Sequence, residues 1–141
     1  MKQVIIDTNV IISFITDRNI QQQELAAKLL KSASGLKTSI ICHQHVLTEF
    51  VYVLDRIYQI PKYRIKVLLS DFITMPGIEI IHEVYFKQLF KFWPEHVPDF
   101  GDAVLTQLSR IMRKAPVATF DQKLCSRLKT LDIKVFEFEK L

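Results

Sequence analysis

The chain has 141 residues, 49% hydrophobic and 24% charged, with 3 Gly and 5 Pro. That is the profile of a single globular domain over residues 1–141, and it excludes collagen, low-complexity disorder and a multidomain enzyme. A chain of this length buries roughly 68–70% of the surface its unfolded form exposes, enough for a core without metal or disulfide staples. The net charge of +4 is spread along the chain, with 6 basic and 5 acidic residues over 1–60 and 13 and 10 over 61–141. A polyanionic partner is permitted by that balance but not demanded by it.

The amino-terminal apolar run is interrupted by Asp7 and Asn9, and no small-residue cleavage site follows it. Nothing approaches the ~18 uninterrupted apolar residues of a membrane span, so a cytoplasmic protein without membrane attachment is expected. Cys42 and Cys125 lie far apart without CxxC spacing and read as reduced core thiols.

In chain order, short β-branched runs predict strands at Val4–Ile6, Thr38–Ile41, Ile78–Ile81, Pro116–Thr119 and Lys134–Phe136. Helical periodicity fills the intervals at Gln21–Ser32, Val46–Tyr58, Lys62–Ile73, Val84–Phe92, Gly101–Met112 and Gln122–Thr130, with a further helix starting after Asp7. Strands alternating with helices predict an α/β fold, a parallel sheet covered on both faces, because parallel strands need crossovers. Ligands of such sheets sit beyond the carboxyl ends of the strands.

Carboxylates stand at those places. The first strand ends in Asp7, followed by Thr8 and Asn9, and the fourth leads through Phe120 into Asp121. Asp99 and Asp102, in PDFGDAVL, open the helix before the fourth strand. Glu49 lies in mid-helix with His45, Val46, Tyr52 and Val53 three and four positions away, which draws it partly inward. Each Asp at a helix start has a plain alternative role as a cap, worth about 1 kcal/mol. Capping does not account for Glu49, nor for two strand-end aspartates on one rim. Crowded carboxylates cannot all ionise cheaply, so a divalent cation is the natural compensation, and an all-oxygen donor set suits Mg²⁺.

The run VIIDTNVII, the helix LTEFVYVL, the motif DFGDAVL and the closing VATFD stand in the order and approximate spacing of the PIN-domain ribonucleases. Within that family the chain most closely resembles the VapC toxins of toxin–antitoxin modules, over essentially its whole length. The resemblance implies a three-layer α/β/α sandwich around a parallel sheet of four to five strands. It also implies a Mg²⁺- or Mn²⁺-dependent endoribonuclease, a homodimer, and an antitoxin partner that occludes the site. Carried over by position, it makes Asp7, Glu49, Asp102 and Asp121 the acidic quartet, with Asp99 as an alternative ligand. Thr8, Asn9 and Thr119 fill the polar positions that orient carboxylates and water. The corresponding reaction is metal-assisted hydrolysis of an RNA phosphodiester, leaving 5′-phosphate and 3′-hydroxyl ends.

With the quartet neutralised, 19 basic face 11 acidic residues, and Arg110, Arg113 and Lys114 are candidates to line an RNA groove or to form a solvated helix end. The cluster Cys42, His43, His45 offers three ligands but no second cluster to complete a zinc tetrahedron. The aromatic stretch Tyr85, Phe86, Phe90, Phe92 and Trp93 has the spacing of a buried helix face, expected in core or dimer packing rather than in base stacking.

Other classes fit less well. A phosphoacceptor receiver domain requires paired acids after the first strand, and only Asp7 stands there. A haloacid-dehalogenase-type phosphatase requires a second Asp where Asn9 stands. The remaining rival is a catalytically inactive PIN-like module kept for RNA or protein binding.

Overall fold

A computed structural model describes residues 1–141. The elements are β1 Lys2–Ile6, α1 Thr8–Ile15, α2 Ile20–Ser34, β2 Thr38–His43, α3 Gln44–Arg56, α4 Lys62–Ile73, β3 Ile78–Ile81, α5 Phe86–Leu89, α6 Phe100–Ile111, β4 Val117–Ala118 and α7 Gln122–Thr130, closed by a 3₁₀ turn at Phe138–Lys140. The four strands form one sheet in the order β3-β2-β1-β4, and every pairing is parallel. Flanked by helices, this is the expected α/β/α arrangement.

The strands read as continuous apolar runs because both of their faces are covered. Val4, Ile5 and Ile6 of β1, and Ile40, Ile41 and Cys42 of β2, are all buried, so the two central strands run through the middle of the core. Helix α1 packs against α2 and α3, while α6 lies against β1 and β4. Gly77 turns the chain from α4 into β3 at φ 84°, where any Cβ would collide with the Ala33 carbonyl, so the turn requires glycine. No helix is long and apolar enough to cross a membrane.

Three predicted elements shrink, the first being Pro116–Thr119, which pairs only over Val117–Ala118. The run Lys134–Phe136 makes only one parallel bridge, Val117 to Val135, because β4 is two residues long and offers nothing further to pair with. The predicted helix Val84–Phe92 is reduced to Phe86–Leu89, followed by turns. In that stretch Leu89 and Phe92 are buried but Tyr85, Phe86 and Phe90 are exposed, so the buried apolar face is too narrow to anchor a longer helix. The reading of this segment as a buried helix face is thereby corrected. Phe86, Phe90, Trp93 and Phe100 instead form a chain of ring contacts, with centroids 5.3–6.4 Å apart, along the surface.

Candidate active site

Beyond the carboxyl ends of β1 and β4 lies a cleft of about 410 Å³ lined by Asp7, Thr8, Asn9, Glu49, Asp99, Asp102 and Asp121, together with Ile12, Arg18 and Val53. All five carboxylates singled out in the sequence thus face one space, although they come from four separate segments of the chain.

Local helix chemistry places most of them. Asp7 caps α1, its Oδ1 accepting from the Thr8 N–H at 2.7 Å. Asp99 caps α6 through the Asp102 N–H at 2.9 Å, and Asp121 caps α7 through the N–H groups of Lys123 and Leu124. Capping is therefore real for three of the five; in Asp99 and Asp121 it leaves the second oxygen free for the cleft, whereas the second oxygen of Asp7 accepts from side chains. Asp102 sits inside the first turn of α6, where its side chain makes no hydrogen bond and remains in the cleft for no capping reason.

A network joins the two strand ends. The Thr119 hydroxyl donates to Asp7 Oδ2 at 2.7 Å, and the Asn9 amide donates to the same oxygen at 3.2 Å and to Thr119 Oγ1 at 3.0 Å. Asn9 Oδ1 in turn accepts from the Phe120 N–H, and Thr119 Oγ1 accepts from the Asp121 N–H. Thr8 reaches the other way, donating to Glu49 Oε1 at 2.6 Å and so coupling α1 to α3. The three polar residues given an orienting part in the sequence all hold carboxylates.

Asp7 is buried, and burial raises its carboxyl to about 6 against the opposing hydrogen bonds from Thr119 and Thr8, with Glu49 and Asp121 adding repulsion. Asp102 is raised further, to about 7, again first by burial and then by Asp7, Asp99, Asp121 and Glu49. The cleft thus concentrates negative charge that the protein itself does not neutralise. In this arrangement no three His, Cys, Asp or Glu side chains converge closely enough to hold a metal ion.

The residues around Cys42 do other work. His43 caps α3 by accepting from the His45 N–H through Nδ1, and its Nε2 lies 3.0 Å from the Glu83 carbonyl, so both of its ring nitrogens are engaged. His45 Nε2 lies 3.6 Å from Glu49 Oε1, is buried and has no hydrogen-bond partner. Its ring occupies the space left by the missing side chain of Gly101, and any Cβ there would collide with it, which explains the glycine of DFGD.

The basic residues are redistributed relative to the sequence reading. Arg113 and Lys114 line a cavity at the amino ends of the strands, beside Lys2, Thr38 and Lys134. Arg110 donates to the Leu131 carbonyl and lies over the Phe92 ring. None of the three lines the carboxylate cleft, whereas Arg18, which sequence reasoning missed, does. It belongs to a loop with no periodicity, and only its closeness in the chain to Asp7 hinted at its place.

A four-stranded parallel α/β/α sheet with carboxylates gathered beyond its carboxyl ends is the architecture of the PIN domain. The model of that family matches residues 4–130, and the chain belongs to it. Among solved structures the fold is similar to VapC20 of Mycobacterium tuberculosis, described as a toxin that cleaves the sarcin-ricin loop. The TM-score is 0.67 and the identity 16%, over 87% of this chain and 93% of that one. No curated protein matches the sequence.

Proposed function

We propose that residues 1–141 form one nuclease domain, a divalent-metal-dependent endoribonuclease that serves as the toxin of a toxin–antitoxin pair. The observation that carries this reading is the convergence of Asp7, Glu49, Asp99, Asp102 and Asp121 on one cleft in a chain of the PIN-domain family. The likeness to a VapC toxin supports the toxin part of it.

The donor set fits a hard cation. It is all oxygen, Asp102 has no partner of its own, and Asp7 and Asp102 are raised first by burial and then by neighbouring carboxylates, both of which a bound cation would offset. Asp7, Asp102 and Asp121, with Glu49 and Asp99 at the margin, are the residues that would hold Mg²⁺, with Mn²⁺ as a substitute. Holding it requires the carboxylates to draw closer than they stand. When bound, the cation supplies positive charge for the phosphodiester and acidifies the attacking water. The protein's own part is to orient: Thr119 and Asn9 fix Asp7, and Thr8 fixes Glu49. The surrounding carboxylates are then available to accept the proton that the water loses. In this reading the partners are RNA, a cognate antitoxin that covers the cleft, and a second copy of the chain, with the exposed aromatic chain from Phe86 to Phe100 available for protein contact.

The test is cleavage of an RNA mixture that includes a sarcin-ricin-loop oligonucleotide, by wild type and Asp7→Asn, with Mg²⁺, Mn²⁺ or EDTA. Cleavage is expected with either metal and is expected to vanish in EDTA and in Asp7→Asn. Undiminished cleavage in EDTA defeats the metal reading. A wild type as inert as the variant in every condition favours an inactive binding module.

A further inference from the structure

Arg18 is the single basic side chain on a cleft lined by five carboxylates, yet it pairs with none of them. Its guanidinium is held by neutral acceptors instead. Nε and Nη2 donate to Ser13 Oγ at 3.3 and 3.0 Å, and Nη2 also donates to the Asn9 carbonyl at 3.1 Å. Both acceptors lie on α1, the helix that Asp7 caps, and Ser13 is fully buried and donates in turn to Gln22. The fork is therefore fixed relative to Asp7, while Nη1 has no protein acceptor.

This arrangement is the reverse of a structural ion pair. Arginine carries five donors in a planar fork suited to phosphate oxygens, and tethering on one side lowers the entropy lost when the other side binds. A permanent positive charge on the cleft with no direct ion pair and with Nη1 free is complementary to an anion that enters the cleft. The anion an endoribonuclease must seat there is the RNA backbone.

We propose that Arg18 clasps a non-bridging oxygen of the RNA backbone, at the scissile phosphate or the one beside it, and so sets the register of the strand over the carboxylates. This rests on the endoribonuclease reading for the identity of the anion. Arg18 binds and positions the strand, and it exchanges no proton with the reacting atoms.

The experiment reads anisotropy of a fluorescein-labelled single-stranded RNA oligonucleotide in Ca²⁺, over a series of salt concentrations and with gels to check that the RNA stays intact. Wild type, Arg18→Ala and Arg18→Lys are compared, and thermal melting verifies that each is folded. Arg18→Ala is expected to weaken Kd about tenfold and to lower the slope of log Kd against log salt by about one. Arg18→Lys is expected to keep the slope and to recover part of the affinity. Equal Kd and slope in wild type and Arg18→Ala, including the case in which neither binds, overturns the proposal. A loss of affinity with the slope unchanged, or a lysine variant as weak as the alanine one in both respects, also overturns it, because the arginine then only props the loop between α1 and α2. Failure of the nuclease reading is seen separately, as absence of cleavage by wild type in Mg²⁺ and Mn²⁺ while the difference in salt slope persists.

Discussion

The two ends of the sheet carry cavities of opposite character. At the amino ends of the strands lies a space of about 1010 Å³ whose wall includes Lys2, Arg113, Lys114, Lys129, Lys134 and Lys140. At the carboxyl ends lies the cleft of about 410 Å³, with five carboxylates and one arginine. Size favours the first and chemistry the second. The basic wall is a set of exposed surface cations to which water has access, one of them, Lys140, paired with Glu137. In the acidic cleft, Asp7 and Asp102 are held away from their ordinary ionisation by burial and by neighbouring carboxylates. Charge maintained against its own repulsion at the strand ends where α/β proteins bind ligands points to function more strongly than volume does.

The sharpest way to break this comparison is Asp102→Asn. Cleavage is expected to fall about a hundred- to a thousandfold, the range seen when one preorganised charge-stabilising group is lost. The same change should stabilise the metal-free protein. The folded carboxyl is raised from 3.8 to about 7, so between those values the native state keeps a proton that the unfolded chain has released. Wild-type stability in EDTA therefore falls as pH rises through that window, and asparagine removes the share of Asp102 while that of Asp7 remains in both proteins. The difference in Tm between variant and wild type should be near zero at pH 4 and complete by pH 8, and Mg²⁺ should narrow it by stabilising the wild type. A difference in Tm that does not change with pH would mean that neither burial nor the neighbouring carboxylates raise Asp102.

A smaller effect is expected one step behind the carboxylates. Thr119→Val removes the hydroxyl that donates to Asp7 and accepts from Asn9 and from the Asp121 N–H, at nearly unchanged volume. Buried groups left without partners cost about 1–3 kcal/mol, and urea denaturation should show that loss. The basic wall holds isolated pairs, such as Lys140 with Glu137, rather than a network joining two strand ends, so an equally sparing change at Arg113 or Lys114 unpairs nothing.

Much of the acidic cleft was legible in the sequence because strand ends and helix caps are local features. Asp7 and Asp121 each follow a short β-branched run and open a helix, so their place on one rim follows from chain order and the parallel sheet. Glu49 stood out as an acid on the edge of an apolar helix face. Arg18 was not legible, because its orientation depends on the loop after α1 folding back onto Ser13 and Asn9, and no periodicity records that. The basic residues, left open between a groove and a solvated helix end, fall to the second for a related reason. Arg113 and Lys114 follow the far end of α6, and a helix that carries Asp102 at its start delivers its other end to the opposite side of the sheet. The aromatic segment kept helical spacing without forming more than one turn of α-helix, since spacing cannot reveal that nothing covers Phe86 and Phe90.

The smallest expected effect sharpens the comparison from the other side. Replacing Arg113 and Lys114 together by alanine lowers the net charge from +4 to +2 and removes two cations from the larger cavity without touching any residue of the cleft. If the basic wall were the RNA-binding surface, each lost phosphate contact would lower the salt slope by about one, so the variant's KM would be raised at low salt and would depend on salt less steeply. With the cleft as the site, only long-range steering is lost. At physiological ionic strength the screening length is about 8 Å, and the two residues stand at the opposite end of the sheet. KM is therefore expected to change by less than about twofold, with kcat unchanged and the salt slope intact. A fall in slope as large as that expected for Arg18→Ala would move the RNA path onto the amino ends of the strands and leave the carboxylate cleft with only the reacting end of the strand.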